Sequence, residues 1–361
     1  MLKRVKREIN ALASRSEVPE VFTISKVSKY IPDIANPKAP AGHVAIVGTK
    51  TYGLSGSGKM RPRMFLPIFH RTLVEEHNLG CFYYQTCHDL LNDLDRHLPY
   101  RLAVIPIYGE DGVPVIIPSS RVVRRIRELH PSCIFANHPD AAQVVRDKKT
   151  TNSLLTRKGV PMPRMDLRVV SGKIFSNARF GTKRPAYVTD SARLDEARYN
   201  TEFIDTRYEV EGIEYYCSLR ALAVGSVMLD LWPRFRPVED GDPSVHSKDT
   251  PRSEFLLNKF YSEVALPLRR RAESICSKVK DALGLGFLAL DILYDHDRDQ
   301  LFVCEVGFKF ADHTWVEHCG DLWKEVPWLK PHSSYAIARS SANAFAREVL
   351  SPNVSNGLMQ G

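Results

Sequence analysis

The chain has 361 residues, of which 43% are hydrophobic and 25% are charged, a composition typical of a folded globular protein and not of a disordered one. This length exceeds the needs of one ordinary core and allows two or three packed lobes with a cleft between them. The sequence contains no run of about twenty apolar residues, so no transmembrane segment is predicted.

The net charge of +8 is compatible with an anionic partner. The basic runs at 3–7, 121–127 and 269–271 lack interleaved aromatic residues, so we interpret them as solvated helix faces and expect no specific nucleic acid. The seven cysteines are scattered and form no CxxC pair, which favours reduced thiols, and the first residues lack the apolar core of a secretory signal. These features predict a cytoplasmic protein.

Residues 1–40 are predicted to form a basic amphipathic helix followed by a proline-containing linker. We expect the helix to dock on the protein's own body, with contact to an acidic membrane surface as the alternative. Short apolar strands then alternate with segments of helical periodicity, which predicts an α/β lobe with parallel strand pairing over residues 41–135. The strands are expected at 43–48 and 101–108, and the helices at 63–78 and 88–98.

In the second half of the chain the sequence pattern predicts antiparallel strand pairing. Helical spacing predicts one helix over 141–158 that ends at Gly159. The stretch 202–232 alternates in the manner of β-strands, with glycines at plausible turns, which predicts an antiparallel meander. Beyond it, a helix is expected at 268–283 and two strands at 286–295 and 300–307, joined by a tight turn.

A glycine-rich loop at 53–59 matches part of a phosphate-binding P-loop, since Gly53 is followed after four residues by Gly58 and Lys59. Met60 stands where a serine or threonine should hold Mg²⁺, and Pro62 interrupts the helix that should face the phosphate. We therefore interpret this segment as a flexible loop, with a P-loop as the alternative.

Asp291 and Glu305 lie on the two strands joined by the tight turn, a geometry that can bring both carboxylates to one face as oxygen ligands for Mg²⁺. Two acidic residues that merely end strands are the alternative. Lys148 is a compact charge that could reach a phosphate from the lip of a cleft. A solvent-exposed helical lysine would give the same sequence.

Two longer stretches carry a family resemblance: VVRDKKTTNSLLTRKGVPMPRM at 144–165 and LGLGFLALDILYDHDRDQLFVCEVG at 283–307. Both resemble ATP-grasp enzymes, and the resemblance implies an α/β (α+β) protein in which an N-terminal parallel lobe precedes an ATP-grasp lobe with an antiparallel sheet. It implies that ATP lies between Lys148 and the acidic pair, and that Mg²⁺ is held by Asp291 and Glu305. The resemblance also implies Glu202, Phe203 and Ile204 as the nucleotide-binding hinge, with an edge strand that carries an exposed glutamate as the alternative. It further implies that Arg220 faces an acyl phosphate. Arg234 and Arg236 could supplement Arg220, with an ordinary basic loop as the alternative.

The sequence departs from the family pattern in two places. Glu305 is followed by Val306 and Gly307, so the asparagine of the usual Glu-x-Asn metal motif is missing. In the lid, Thr189 stands roughly where relatives carry a lysine, and Lys183, which precedes it, is the remaining candidate for contact with the nucleotide. The lid, expected around 160–204, is short.

The resemblance implies a ligase that uses ATP and Mg²⁺ to join a carboxylate to an amine or similar nucleophile through an acyl phosphate. The carboxylate would be a small molecule or a peptide, and a homodimer is possible. A non-catalytic nucleotide- or ligand-binding protein is the alternative that the short lid suggests. The expected divisions are 1–40 for the helix and linker, 41–135 for the first lobe, 136–348 for the ATP-grasp-like domain and 349–361 for a flexible tail.

Overall fold

The computed structural model describes residues 41–47, 62–84, 86–96, 99–106, 120–167, 173–180, 187–189, 194–246, 249, 253–308, 319 and 326–351. The helix and linker predicted for residues 1–40, the loop at 53–59 and Lys183 lie outside these ranges. Among the helices within them, none combines the length and the hydropathy needed to cross a lipid bilayer.

Strands and helices alternate along the first part of the chain, as the sequence predicted. Residues 44–47 are only 0% to 4% exposed, as expected for a strand that is covered on both faces. The second helix begins with a capping box, in which the Thr86 side chain accepts a hydrogen bond from the Asp89 N–H and the Asp89 carboxylate accepts one from the Thr86 N–H. In chain order the elements are β1 (Gly42–Val47), α1 (Pro62–His77), β2 (Leu79–Tyr84), α2 (Cys87–Leu94), β3 (Leu102–Pro106), α3 (Ser120–Leu129) and β4 (Ile134–Phe135).

These four strands form a parallel sheet in the order β2-β1-β3-β4. Helix α1 covers one face of the sheet with Phe65, Phe69 and Leu73, while α2 and α3 cover the other with residues such as Leu90 and Ile126. The predicted parallel α/β lobe is therefore confirmed.

The single helix predicted over 141–158 is wrong, because the chain breaks at Asp147 into α4 (Pro139–Arg146) and α5 (Lys148–Arg157). Asp147 is extended, with φ −104° and ψ 108°, and its carboxylate accepts a hydrogen bond of 3.0 Å from the N–H of Lys149. An aspartate in this conformation starts a new helix by satisfying one of its free N–H groups. Lys148 is consequently the first residue of a helix and not part of the middle of one.

Two antiparallel sheets follow. A small sheet in the order β6-β5-β7 is built from β5 (Ile174–Asn177), β6 (Tyr187–Thr189) and β7 (Tyr199–Glu202). The larger sheet and its covering helices comprise β8 (Arg207–Val210), β9 (Ile213–Val224), β10 (Val227–Pro237), a 3₁₀ turn (Val238–Asp240), α6 (Glu254–Phe260), a π turn (Tyr261–Ala265), α7 (Leu266–Leu283), β11 (Phe287–Asp295) and β12 (Gln300–Phe308).

The larger sheet runs in the order β10-β9-β11-β12, with β8 paired to β9. Helix α7 packs on one face through Leu268, Ile275 and Val279, which share a core with Leu219 and Ile292 of the strands. The antiparallel meander and the hairpin expected from the sequence are both confirmed.

The opposite face of the larger sheet shares a core with the parallel sheet. A 3₁₀ helix (Pro327–His332) leads into α8 (Ser334–Leu350), which packs against α1. The rings of Phe69 in α1, Phe287 in β11 and Phe345 in α8 meet with centroid separations of 5.7 to 5.9 Å. A single apolar core therefore joins the first lobe to the larger sheet, and α8 contributes side chains to this core.

Candidate functional site

A row of charged side chains crosses the middle of the larger sheet. Arg220 of β9 lies directly opposite Asp291 of β11, and Asp291 lies directly opposite Glu305 of β12. Side chains that face each other across an antiparallel pair project from the same side of the sheet. The hairpin geometry expected for the two carboxylates is therefore observed.

Asp291 is held by two arginines. Its Oδ1 atom accepts a hydrogen bond of 2.8 Å from Nη1 of Arg220 and another of 3.1 Å from Nη1 of Arg234. Arg220 and Arg234 are buried, with 8% and 6% of their surface exposed. Burial lowers the pKa of Arg234, the Asp291 carboxylate opposes this shift, and Arg220 adds to it. Arginine is the residue best able to keep its charge in such a setting.

Lys148 meets Glu305 at the edge of this row. The Nζ atom of Lys148 lies 3.6 Å from Oε2 of Glu305, and Lys148 is buried, whereas the Glu305 side chain is 43% exposed. Lys148 is positioned by the helix cap at Asp147. The Asp147 carboxylate accepts hydrogen bonds from both Nε and Nη2 of Arg179. These hydrogen bonds from Arg179 lower the pKa of Asp147, and burial only partly offsets them.

Glu202 at the end of β7 is engaged by two arginines that sequence reasoning did not identify. Its Oε2 atom accepts hydrogen bonds from Nη2 of Arg164 and Nη1 of Arg298, each 3.1 Å long. Burial alone would raise the pKa of Glu202, but the hydrogen bonds from the arginines outweigh it and hold the pKa below its usual value. The carboxylate thus ties the hinge segment to the turn between β11 and β12.

The other two residues of the expected hinge, Phe203 and Ile204, come directly after Glu202 in the chain. The N–H of Phe203 donates to the carbonyl of Lys173 over 2.9 Å, and Ile204 is buried. Arg236, by contrast, pairs with Asp240 and Asp242. Phe203 and Ile204 therefore lie beside the small sheet, while Arg236 stays at the end of β10.

Two further side chains lie within the row and carried no motif in the sequence. Ser218 stands directly opposite Arg234 across β9 and β10 and is 5% exposed. Cys304 sits where the register of β11 and β12 shifts, next to Glu305. Burial raises the pKa of the Cys304 thiol, and the carboxylates of Asp291 and Glu305 raise it further. Their positions depend on strand pairing, which short sequence patterns do not encode.

The donor set fits Mg²⁺ bound together with a phosphate group. Within the described ranges, no group of three or more His, Cys, Asp or Glu side chains could enclose a metal ion. Mg²⁺ commonly uses one or two carboxylates and completes its coordination with phosphate oxygens and water. Asp291 and Glu305 can supply that pair, and the cations Lys148, Arg220 and Arg234 around them suit an anionic ligand.

No family model and no curated protein matches the chain. Among solved structures, it is similar to N5-carboxyaminoimidazole ribonucleotide synthetase from Thermotoga maritima, with 12% identity, a TM-score of 0.44 and coverage of 84% of this chain and 76% of that one. It is also similar to D-alanine–D-alanine ligase from Bacillus anthracis complexed with ATP, with 10% identity, a TM-score of 0.45 and coverage of 86% and 98%.

A third similar structure is a RimK domain ATP-grasp protein from Sphaerobacter thermophilus, with 9% identity, a TM-score of 0.42 and coverage of 83% of this chain and 99% of that one. The family that the sequence motifs resemble is thus also found among the matching structures.

Proposed function

We propose that this chain is an ATP-grasp protein that uses ATP and Mg²⁺ to join a carboxylate to an amine or a similar nucleophile through an acyl phosphate. The observation that carries the proposal is the convergence of Lys148, Asp291 and Glu305 beside the buried pair Arg220 and Arg234. Such a site combines oxygen ligands for a hard cation with donors for phosphate oxygens.

In this proposal each side chain acts by position and charge. Lys148 binds a phosphate of the nucleotide, and the segment Glu202 to Ile204 holds the adenine end. Arg220 and Arg234 stabilise the charge that spreads over the phosphoryl oxygens during transfer, a role suited to planar guanidinium groups. Asp291 and Glu305 would hold Mg²⁺, which would neutralise phosphate charge when bound. Lys183, outside the described residues, is proposed as a further contact from the lid.

The acceptor would approach from the side of the first lobe and Arg234. We further propose that residues 41–135 and 136–348 act as the two lobes of the cleft, with 160–204 as its short cover. The core shared through Phe69 and Phe345 supports a fixed relation between the parallel sheet and the larger sheet. A ligand held between them would therefore meet a preorganised surface.

A second candidate is a protein that binds nucleotide without turnover. It is favoured by the sequence Glu305-Val306-Gly307, which lacks an amide ligand for the metal. Two carboxylates can hold Mg²⁺ together with ATP and still bind the metal too weakly to stabilise the transition state of phosphoryl transfer. Activity, not binding, separates the two candidates.

The proposed function is tested by measuring ATP affinity by calorimetry with and without Mg²⁺. The parent should bind ATP more tightly with Mg²⁺, and the double variant Asp291→Asn, Glu305→Gln should lose that dependence. Asp299→Asn is the matched control, because Asp299 lies in the same hairpin but pairs with Arg271. If the ATP affinity of the double variant depends on Mg²⁺ as that of the parent does, Asp291 and Glu305 are not the metal ligands.

Single-turnover reactions with labelled ATP then separate the candidates. A ligase should release ADP when supplied with a suitable acid from a panel of small carboxylates and peptides, and it should form product when an amine is added. Binding of ATP with no ADP across the panel supports the non-catalytic protein.

A further inference from the structure

Asp291 uses a single carboxylate oxygen to accept hydrogen bonds from two guanidinium groups. Oδ1 lies 2.8 Å from Nη1 of Arg220 and 3.1 Å from Nη1 of Arg234. The two arginine side chains are only 10% and 7% exposed, so dissolved salt screens these contacts poorly. Asp291 in this arrangement is the acceptor of an ion triad.

This triad disfavours a cation at Asp291. A divalent ion brought to the carboxylate would stand close to two fixed positive charges, and like charges repel strongly where water is excluded. For a metal to bind well, at least one guanidinium must find another negative partner. Arg220 and Arg234 therefore compete with a metal ion for the same carboxylate.

The structure also indicates where that partner would bind. Nε of Arg234 and Oγ of Ser218 are buried and have no hydrogen-bond acceptor or donor among the described residues. The two residues are directly opposite each other on β10 and β9 and project from the same face as Asp291. Buried donors without partners are rare in native proteins, and here both suit the oxygen of an anion.

We propose that Asp291 is a gated metal ligand. In the ligand-free protein Arg220 and Arg234 both bind the Asp291 carboxylate. An oxyanion that binds to Arg234 and Ser218 draws the Arg234 guanidinium away and thereby makes the carboxylate available to the metal. Metal and oxyanion therefore bind with positive cooperativity, and each raises the affinity for the other by the same factor. This inference rests on the metal pair of the proposed function and concerns how that pair is regulated.

Mn²⁺ binding followed by electron paramagnetic resonance tests the gate without any nucleotide. In the parent, sulfate as the probe oxyanion should raise Mn²⁺ affinity. Arg234→Gln should raise Mn²⁺ affinity in the absence of sulfate, by about five- to tenfold, and should abolish the effect of sulfate. Adding Asp291→Asn to Arg234→Gln should remove the gain, which assigns it to this carboxylate.

Matched variants separate the gate from a simple change in net charge. Arg236→Gln removes the same charge from the same strand, but Arg236 pairs with Asp240 and Asp242, so its Mn²⁺ affinity should equal that of the parent. Ser218→Ala should weaken the sulfate effect and leave Mn²⁺ affinity without sulfate unchanged. An equal gain in Arg236→Gln and Arg234→Gln, or no gain in either, overturns the proposal.

Arg220→Gln provides a second route if Arg234→Gln does not fold, as judged by circular dichroism and thermal unfolding. It removes the other guanidinium from the same oxygen and should also raise Mn²⁺ affinity. Because the assay contains no nucleotide, a chain that fails to bind ATP can still show the gate, and one that binds ATP can lack it. Failure of the gate and failure of the proposed function are thereby distinguished.

Discussion

The ammonium nitrogen of Lys148 lies 3.6 Å from a carboxylate oxygen of Glu305, although the two residues belong to a helix start and a distant strand. The lysine is only 8% exposed, so its ammonium group is largely enclosed by the protein. This pairing places a buried cation beside one of the two acidic residues proposed to hold Mg²⁺, and it makes Lys148 the most direct point at which to test the site.

Lys148→Ala should lower the affinity for Mg²⁺-ATP by about ten- to a hundredfold, because one charge-assisted contact to phosphate is lost. Isothermal titration with a non-hydrolysable ATP analogue measures the change. Lys149→Ala is the matched control: Lys149 is the next residue, and its Nζ atom donates to the carbonyl of Glu196. Equal losses in the two variants would show that the helix start, and not the Lys148 ammonium group, determines binding.

Asp147→Ala should destabilise the protein by about 1 kcal/mol and also weaken nucleotide binding, because the helix cap that positions Lys148 is removed. Asp147→Asn keeps an acceptor for the N–H of Lys149 but loses the ion pair with Arg179, so its effect should be smaller. Urea unfolding measures stability, and titration calorimetry measures affinity. Loss of stability with unchanged affinity would separate the cap from the site.

Arg298→Ala should lower the free energy of unfolding by about 3 kcal/mol, because Glu202 and Asp295 are both buried and both accept hydrogen bonds from this guanidinium. The control is Arg271→Ala, which breaks an ion pair with Asp299 whose side chains are 42% and 71% exposed. That exposed pair should contribute less than about 1 kcal/mol. Similar losses of stability in the two variants would contradict a structural role for the contacts of Arg298 with Glu202 and Asp295.

Burial lowers the pKa of His70 from 6.5 to about 4, and neither ring nitrogen has a hydrogen-bond partner among the described residues. The folded state therefore favours the neutral ring, and the unfolded chain takes up the proton first as the pH falls. The stability that His70 contributes is complete above pH 6.5 and is lost as the pH falls towards 4, with a total on the order of 3 kcal/mol.

Urea unfolding at several pH values between 7 and 4 tests this dependence. His70→Phe keeps a ring beside Tyr83 and removes the titrating group, so its stability should fall less steeply with acid than that of the parent. Parallel pH profiles for the two proteins would show that His70 does not control the acid response.

Local patterns predicted the features that depend on neighbouring residues. The tight turn between β11 and β12 brings Asp291 opposite Glu305, so the pairing of these carboxylates was predictable from one hairpin. The contact of Arg220 with Asp291 spans 71 positions, and that of Arg298 with Glu202 spans 96. Such contacts depend on which strands become neighbours in the sheet, and no short sequence pattern specifies that choice.

The helix break at Asp147 has a different cause. The apolar spacing on both sides of it favoured one continuous helix, but the cap formed by Asp147 and the contact with Arg179 start a second helix at Lys148. The signal was present in the letters Asp-Lys-Lys-Thr, since aspartate is a preferred helix cap. Periodicity outweighed it, and the position of Lys148 within the helix was therefore missed.

The packing of α8 against α1 has a consequence for how the chain is made. Phe69 emerges from the ribosome long before Phe345, yet both rings belong to one core with Phe287. During synthesis the part of this core that α8 supplies is therefore missing until a helix translated some 270 positions later is made. Truncations upstream of Ser334 should leave the parallel sheet poorly folded even though every one of its own strands is present.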